Sequence, residues 1–311
     1  MERRIEVREV GPRDGLQNEE HILKTSDKIH LIEALVSAGL KNIEITSFVN
    51  PKWVPQFYDA GEVLQHFLGR QKYEKVTFIV LVPNLKGAVD AIENGASSIA
   101  LFMSASEAHN LANVNMTIED SLAQLKEVAA LATQRGVSMR GYIVTAFGCP
   151  YQGDVPIEDV KRICKAYLEM GVEEISLGDT TGMAQPEQVQ NVLNEIMPLI
   201  KEGHRIAVHF HNTRGLGLVN AYAAYQCGIT IFDAAIGGLG GCPFAPGATG
   251  NIATEDIVHM FTAMGVETGI DLKALKNVNR ILSQAINKEL PAYLGKVDPI
   301  WEIKSNDIEE V

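Results

Sequence analysis

The chain has 311 residues, 46% hydrophobic and 21% charged, which suits one large well-packed domain or two ordinary ones and excludes a disordered polymer. Its 39 acidic against 27 basic residues give a net charge of −12, which disfavours non-specific binding to nucleic acid or anionic lipid; an anionic ligand would need a local basic pocket or a cation. The cysteines at 149, 164, 227 and 242 form no CxxC pair and read as thiols of a reducing compartment, with Cys164 and Cys227 as small apolar core residues.

The opening MERRIEVREVG enters a strand-like pattern without a signal-peptide run or an Arg/Ser-rich presequence, and nothing approaches the ~18 continuous apolar residues of a membrane helix. A cytoplasmic protein without membrane contact is expected. From there, short apolar strands alternate with longer amphipathic helices. The pattern predicts strands at Ile5 to Val10, Asn42 to Phe48, Lys75 to Val82, Ser97 to Ser104, Met139 to Phe147, Glu174 to Gly178, Arg205 to His211 and Ile231 to Ile236. Helices are predicted at Ser26 to Ala38, Ile118 to Gln134, Ile157 to Met170, Pro186 to Ile200 and Leu216 to Gln226, with a short one in NLKGAVDAIENG. Helix ends recur as AGLKNIEI, NGASSIAL, RGVSMRGY, MGVEEISL and CGITIFDA, where glycine suits a left-handed terminus.

Eight such units match an α/β fold of the (β/α)8 TIM-barrel type, usually about 250 residues long. A doubly wound open sheet is the alternative, but no GxGxxG opens a first helix and no composition break divides the chain. Thr254 to Met264 closes the barrel and Leu272 to Lys288 reads as an appended helix. The expected division is a catalytic barrel over 1–270 and a C-terminal helical extension and tail over 271–311, packed on the barrel.

Barrel active sites form at the C-terminal ends of the strands. Arg13 and Asp14 follow strand one, Glu44 and Ser47 lie on strand two, Tyr142 on strand five, Asp179 ends strand six and His209 and His211 end strand seven. Alternate strand residues leave one face with Cα atoms roughly 6 to 7 Å apart, so both imidazoles reach one ion. Asp14 is the nearest candidate for the missing carboxylate, and such a set could hold Zn²⁺, Fe²⁺, Mn²⁺ or Mg²⁺. Arg13 either salt-bridges to Glu9 or Asp14 or stabilises a substrate oxyanion. Glu44, costly to bury alone, either pairs with Arg13 or takes part in catalysis. Asp179 is a helix cap or a site residue. After strand eight, GGLGGCPFAPGATGN sets Cys242 among six glycines and two prolines, more like a lid than a scaffold. Asn251 either ends that loop or adds an oxygen ligand to the ion.

Together EVGPRDGLQNE, SFVNPKWVPQ, FGCPYQG, SLGDTTGM, VHFH and GLGGCPFAPGATGNIATED resemble the 3-hydroxy-3-methylglutaryl-CoA lyase family, over nearly the whole chain. GLGGCP with its downstream GN is the specific part; the RDG opening and the paired histidines are shared with isopropylmalate and homocitrate synthases, among others. The resemblance implies a barrel that cleaves (S)-3-hydroxy-3-methylglutaryl-CoA to acetyl-CoA and acetoacetate by a retro-Claisen reaction, with Mg²⁺ or Mn²⁺ as cofactor. It implies Asp14, His209, His211 and Asn251 as metal ligands, Arg13 as the substrate-binding arginine and Cys242 as the catalytic cysteine. Glu44 and Asp179 match acidic catalytic positions, and Ser47 and Tyr142 join Arg13 as substrate-binding candidates. A homodimer is also implied, for which the apolar helix Leu272 to Leu290 offers a surface.

One departure from the family stands out. Its second histidine is usually followed by aspartate, as in HDTYGQ or HDTRG, whereas this chain reads HNTRGLG. Asn212 carries no charge and Arg214 is placed to meet an added carboxylate, so a related 3-hydroxyacyl-CoA is the alternative substrate. Other readings are a synthase condensing acetyl-CoA with a 2-oxo acid and a catalytically silent barrel that binds acyl-CoA or a partner.

Overall fold

The computed structural model describes residues 4–241 and 250–302. Eight parallel strands close on themselves in chain order. They are β1 (Glu6–Glu9), β2 (Asn42–Ser47), β3 (Thr77–Leu81), β4 (Ser98–Ser104), β5 (Ser138–Val144), β6 (Glu174–Asp179), β7 (Arg205–Phe210) and β8 (Ile231–Ala234). Closure runs through β8 and β1, paired from Glu6 with Ile231 to Glu9 with Ala234. The strands are buried on both faces because helices cover the outside, which is why they read as apolar runs rather than as alternating ones.

The helices are α1 (Thr25–Ser37), α2 (Ala60–Phe67), α3 (Leu85–Glu93), α4 (Glu107–Val114), α5 (Ile118–Arg135), α6 (Ile157–Glu169), α7 (Pro186–Ile196), α8 (Gly217–Gln226), α9 (Thr254–Ala263) and α10 (Leu272–Ile286). Two were not foreseen. α2 is short and follows SFVNPKWVPQ, whose prolines suggest loop, and α4 is a short polar helix capped by Ser106, whose Oγ accepts from the His109 N–H at 3.2 Å. The short third helix does form, capped by Asn84, whose side chain accepts from the Gly87 N–H at 2.9 Å.

Several boundaries move for local reasons. The fifth strand ends at Val144 because Thr145 turns to φ 60°. The helix expected to reach Ile200 stops at Ile196, since Pro198 has no N–H to continue it and a 3-10 turn follows over Met197–Leu199. Strand eight gives way to a 3-10 turn over Ile236–Gly238, where Gly237 has φ 70° and a Cβ there would lie 2.5 Å from Leu290. The helix-ending glycines 39, 95, 136, 171 and 228 all have positive φ, as their positions predict.

α10 does not present its apolar face outward. Leu272, Leu275, Val278, Leu282 and Ile286 are buried against the barrel's own helices α1 and α9. The surface expected to serve a dimer is therefore used within the subunit. Among the described residues, no helix is long and apolar enough to cross a membrane.

The inside of the barrel is ionic at one end. Arg8 binds Glu174 through Nε at 3.1 Å and Nη2 at 2.7 Å, and Arg140 donates from Nε to the same carboxylate at 2.7 Å. These side chains are at most 6% exposed and leave no charge unpaired, as burial requires.

Candidate active site

The mouth of the barrel is organised by the turn after β1. Over Gly11–Gly15 the chain winds as a single π turn, with Val10 O accepting from the N–H groups of Arg13, Asp14 and Gly15 at 3.1, 2.7 and 3.3 Å. Gly11 is needed there, because a Cβ would sit 2.6 Å from Glu9 Oε1 and 2.8 Å from Ile236. Glu9 anchors the turn from below: its carboxyl accepts from the Gly11 and Ile236 N–H groups at 2.8 Å and from Thr254 Oγ1 at 2.6 Å. It is thus not the partner of Arg13.

Arg13 bonds instead to Glu44 through Nε and to Asp14 through Nη1, the latter at 2.7 Å. The other oxygen of Glu44 accepts from the Tyr142 hydroxyl at 2.8 Å. Glu44 is therefore fully engaged, and its architectural reading is the one the geometry favours. Burial works against the Arg13 charge, but Glu44 and Asp14 outweigh it and raise the pKa further.

Asp14, His209 and His211 offer ligand atoms that all lie within 4.8 Å of one another. The two Nε2 atoms are 3.1 Å apart, and His209 Nε2 is 4.0 Å from Asp14 Oδ2. His209 Nδ1 faces Asp233 Oδ2 at 3.2 Å; if this bond carries the ring proton, the Nε2 lone pair is free for an ion. Burial lowers the His211 pKa to about 4, with the neighbouring His209 and Arg13 adding to the effect, so the imidazole is neutral near pH 7 and able to ligate. At Asp14, burial opposes ionisation but Arg13 and both histidines overcome it and hold the carboxyl below the usual carboxylate range.

Asn251 completes the constellation. His211 and Asn251 form an isolated antiparallel bridge. The Asn251 amide donates to Asp14 Oδ2 at 2.7 Å and to Leu239 O at 2.9 Å, and its Oδ1 is buried without a partner. His211 Nδ1 is likewise buried and unpartnered. Two imidazoles, an ionised carboxylate and an orphaned amide oxygen fit a divalent cation, which would satisfy groups that otherwise face one another.

Asp14, His209 and His211 line a cleft of about 850 Å³, open mouth included. Arg13, Asp14, His209 and His211 form its polar side, and Leu81, Phe102 and Val144 an apolar one. Tyr142 also lines the cleft, and Gln17, Asn18, His109 and Asn113 add further polar groups. His109 is buried, which lowers its pKa to about 4 and leaves it neutral.

The remaining expected residues lie elsewhere. Ser47 is buried with Oγ accepting from the Val49 N–H at 3.2 Å, and it does not line the cleft. Asp179 Oδ1 accepts from the Met183 and Ala184 N–H groups at 2.7 and 3.1 Å, holding the turn before α7, while Oδ2 is buried without a partner. Burial raises its pKa to about 6 against those bonds. Its neighbours Gly178 and Thr180 line the cleft. Cys242 lies outside the described residues; the preceding Gly241 is in the cleft wall, its carbonyl accepting from Asn18 Nδ2 at 3.0 Å.

The HNTRG departure falls away from the cleft. Asn212 Oδ1 accepts from the Gly217 N–H at 3.1 Å at the start of α8, and Arg214 donates to the carbonyls of Thr181 and Gly182 at 2.8 and 3.0 Å. Neither residue lines the cleft, so Arg214 does not take the expected position against an added carboxylate.

Sequence reasoning missed Asp233 and Arg140, the groups behind His209 and Tyr142. A signal was present in each case: a charged residue inside the apolar strand segments ITIFDAAI and SMRGYIV.

The HMGL-like family model matches residues 4–282. The chain is 46% identical over 290 residues to hydroxymethylglutaryl-CoA lyase YngG of Bacillus subtilis (strain 168), spanning 93% of this chain and 96% of that one. It is 43% identical to the human mitochondrial hydroxymethylglutaryl-CoA lyase, spanning 95% and 90%. An HMG-CoA lyase from Acinetobacter baumannii, solved in complex with coenzyme A and 3-methylmalate, superposes with a TM-score of 0.91 at 43% identity, covering 97% of each chain.

Proposed function

The chain belongs to the HMGL-like family, and from that premise we propose that it is a metal-dependent carbon–carbon lyase cleaving (S)-3-hydroxy-3-methylglutaryl-CoA to acetyl-CoA and acetoacetate. The observation that carries this reading is the Asp14, His209 and His211 cluster beside Arg13 in one cleft. We further propose Mg²⁺ or Mn²⁺ as the ion, held by those three residues and Asn251; the choice follows family membership, since this mixed oxygen and nitrogen donor set does not by itself select among divalent cations.

Cleavage breaks the C2–C3 bond. The C3 hydroxyl gives up its proton, C3 becomes the ketone of acetoacetate, and C2 leaves with the electron pair as the enolate of acetyl-CoA. A bound divalent cation supplies Lewis acidity that lowers the hydroxyl's pKa and orients the substrate.

The protein's own groups carry the rest. Asp179, which stands in the chain between the cleft-lining Gly178 and Thr180 and has a pKa raised by burial to about 6 and an unpartnered oxygen, is proposed to take the hydroxyl proton through a bridging water. Arg13, braced by Glu44 and Asp14, stabilises the developing enolate oxygen by a charge-assisted hydrogen bond. Tyr142 keeps its proton, since burial raises its pKa, and holds Glu44 under Arg13. Cys242, on the segment that continues from the cleft-lining Gly241, delivers the proton to C2. The apolar wall of Leu81, Phe102 and Val144 takes the methyl at C3 and keeps water from the enolate. A homodimer is proposed on family grounds, on a face other than the buried stripe of α10.

A condensing synthase would use a similar ion and arginine but has no need of Cys242. Incubating the protein with acetyl-CoA and a panel of 2-oxo acids separates the two readings. Free CoA should not accumulate above background, and robust release would reverse the assignment.

A further inference from the structure

We infer that Arg140 is a positioning residue that aligns both halves of the active site at once, through Asp233 to His209 and through Tyr142 to Glu44 and Arg13. The inference rests on the reading that His209 binds the ion.

Arg140 touches neither the metal cluster nor the cleft, yet its guanidinium makes three separate bonds. Nε donates to Glu174 at 2.7 Å, Nη1 to the Tyr142 hydroxyl oxygen at 2.6 Å, and Nη2 to Asp233 Oδ1. Its side chain is 4% exposed and that of Asp233 0%, so the bond between them does not compete with water.

Each outer nitrogen starts an arm. On one, Asp233 Oδ2 faces His209 Nδ1 at 3.2 Å and is steadied by Ser176 Oγ at 2.9 Å. On the other, the Tyr142 hydroxyl accepts from Arg140 and donates to Glu44 Oε2 at 2.8 Å, whose second oxygen holds Arg13.

The arms also cross the barrel. Arg140 and Tyr142 stand on β5, Asp233 on β8 and Glu44 on β2, none of them neighbours of β5 in the sheet. Backbone pairing fixes adjacent strands only. These side-chain bonds brace the strands that flank β1 from the opposite wall, and β1 leads directly into Arg13 and Asp14.

A guanidinium suits this task because its planar fork serves three directions with fixed angles, whereas an ammonium on a flexible stem is one point of charge. The Asp233 arm also selects a tautomer. While the carboxylate faces Nδ1, the proton stays there and Nε2 is kept for the ion; an amide in its place can turn its NH₂ toward the ring and reverse this.

The test uses the full-length protein and three variants: Arg140→Lys, which keeps the buried charge, Asp233→Asn, which cuts the metal arm, and Tyr142→Phe, which cuts the arginine arm. Mn²⁺ affinity is measured by calorimetric titration of chelated protein without substrate, and turnover at saturating Mn²⁺ separately. Asp233→Asn should weaken Mn²⁺ binding by about 10- to 100-fold. Tyr142→Phe should leave Mn²⁺ affinity near wild type and lower kcat. Arg140→Lys should do both. Wild-type Mn²⁺ affinity and kcat in a folded Arg140→Lys protein would overturn the inference, as would wild-type Mn²⁺ affinity in Asp233→Asn. If Arg140→Lys does not fold, the opposite signatures of the two single-arm variants decide it. Absence of lyase turnover in wild-type protein that binds Mn²⁺ would count against the proposed reaction and leave the affinity comparison standing.

Discussion

His209 shows how one residue's role is fixed by what lies behind it. Its Nδ1 faces a fully buried carboxylate and its Nε2 faces His211 and Asp14, so the ring is oriented before any ion arrives. His209→Ala should abolish stoichiometric metal content by elemental analysis after Mn²⁺ loading and desalting, and an unchanged content would remove it from the ligand set. Cys242→Ala should lower kcat by 10²-fold or more, the scale of a lost general acid, with Mn²⁺ affinity unchanged; near-wild-type turnover would reassign the C2 proton. The clustering of Asp14, His209 and His211 was legible in the sequence because strand spacing and position at the barrel mouth point to it directly. The pairing of Asp233 with Arg140 was not, because it joins residues 93 positions apart across the barrel interior; the local signal, a charge inside an apolar strand, marks each residue but not its partner. Asp179 stayed ambiguous because one of its oxygens caps a turn while the other is left over, and it shows both readings at once.

Among the elements, the strands and the larger helices were readable from apolar runs and glycine stops, whereas α2 and α4 were too short to show a clear period. The least legible feature is how loops are rooted. Glu9 ties the turn after β1 to Ile236, and Glu255 on α9 accepts from the Gly237 N–H at 2.9 Å and from Asn279 Nδ2 of α10 at 2.6 Å. α10 is thereby hooked to the base of the segment that carries Cys242. Burial raises the Glu9 pKa from 4.5 to about 7 and that of Glu255 to about 8, against the hydrogen bonds each accepts. In the unfolded chain both ionise at ordinary values, so over the interval between, the folded state holds more protons and stability falls as pH rises. The loss begins above the ordinary glutamate range and is complete once pH passes about 8. For Glu9 it is on the order of 3 kcal/mol. Because the buried, neutral His109 and His211 push stability the other way up to their ordinary pKa of 6.5, urea midpoints of chelated protein should drop between pH 6.5 and pH 9, and Glu9→Gln or Glu255→Gln should flatten the drop. A midpoint that rises over that range in wild type would contradict the assignment.

At the scale of the whole molecule, a net charge of −12 must still admit an anionic acyl-CoA, and Arg13 together with the proposed cation at Asp14, His209 and His211 would supply the local positive potential. The proposed ion should also act on the fold, since its proposed ligands come from the ends of β1 and β7 and from Asn251 beyond β8. Mn²⁺ at 100 times its Kd adds about 2.7 kcal/mol to stability, so the melting temperature should rise by several degrees over chelated protein. No shift would mean that the cluster does not bind the ion tightly in the folded state. The most direct measurement is acetoacetate release from (S)-3-hydroxy-3-methylglutaryl-CoA by purified protein stripped with chelator, with and without restored Mg²⁺ or Mn²⁺. Turnover should vanish on stripping and return with either ion. Folded, metal-loaded protein that releases no acetoacetate, or stripped protein that releases it undiminished, would contradict a metal-dependent lyase.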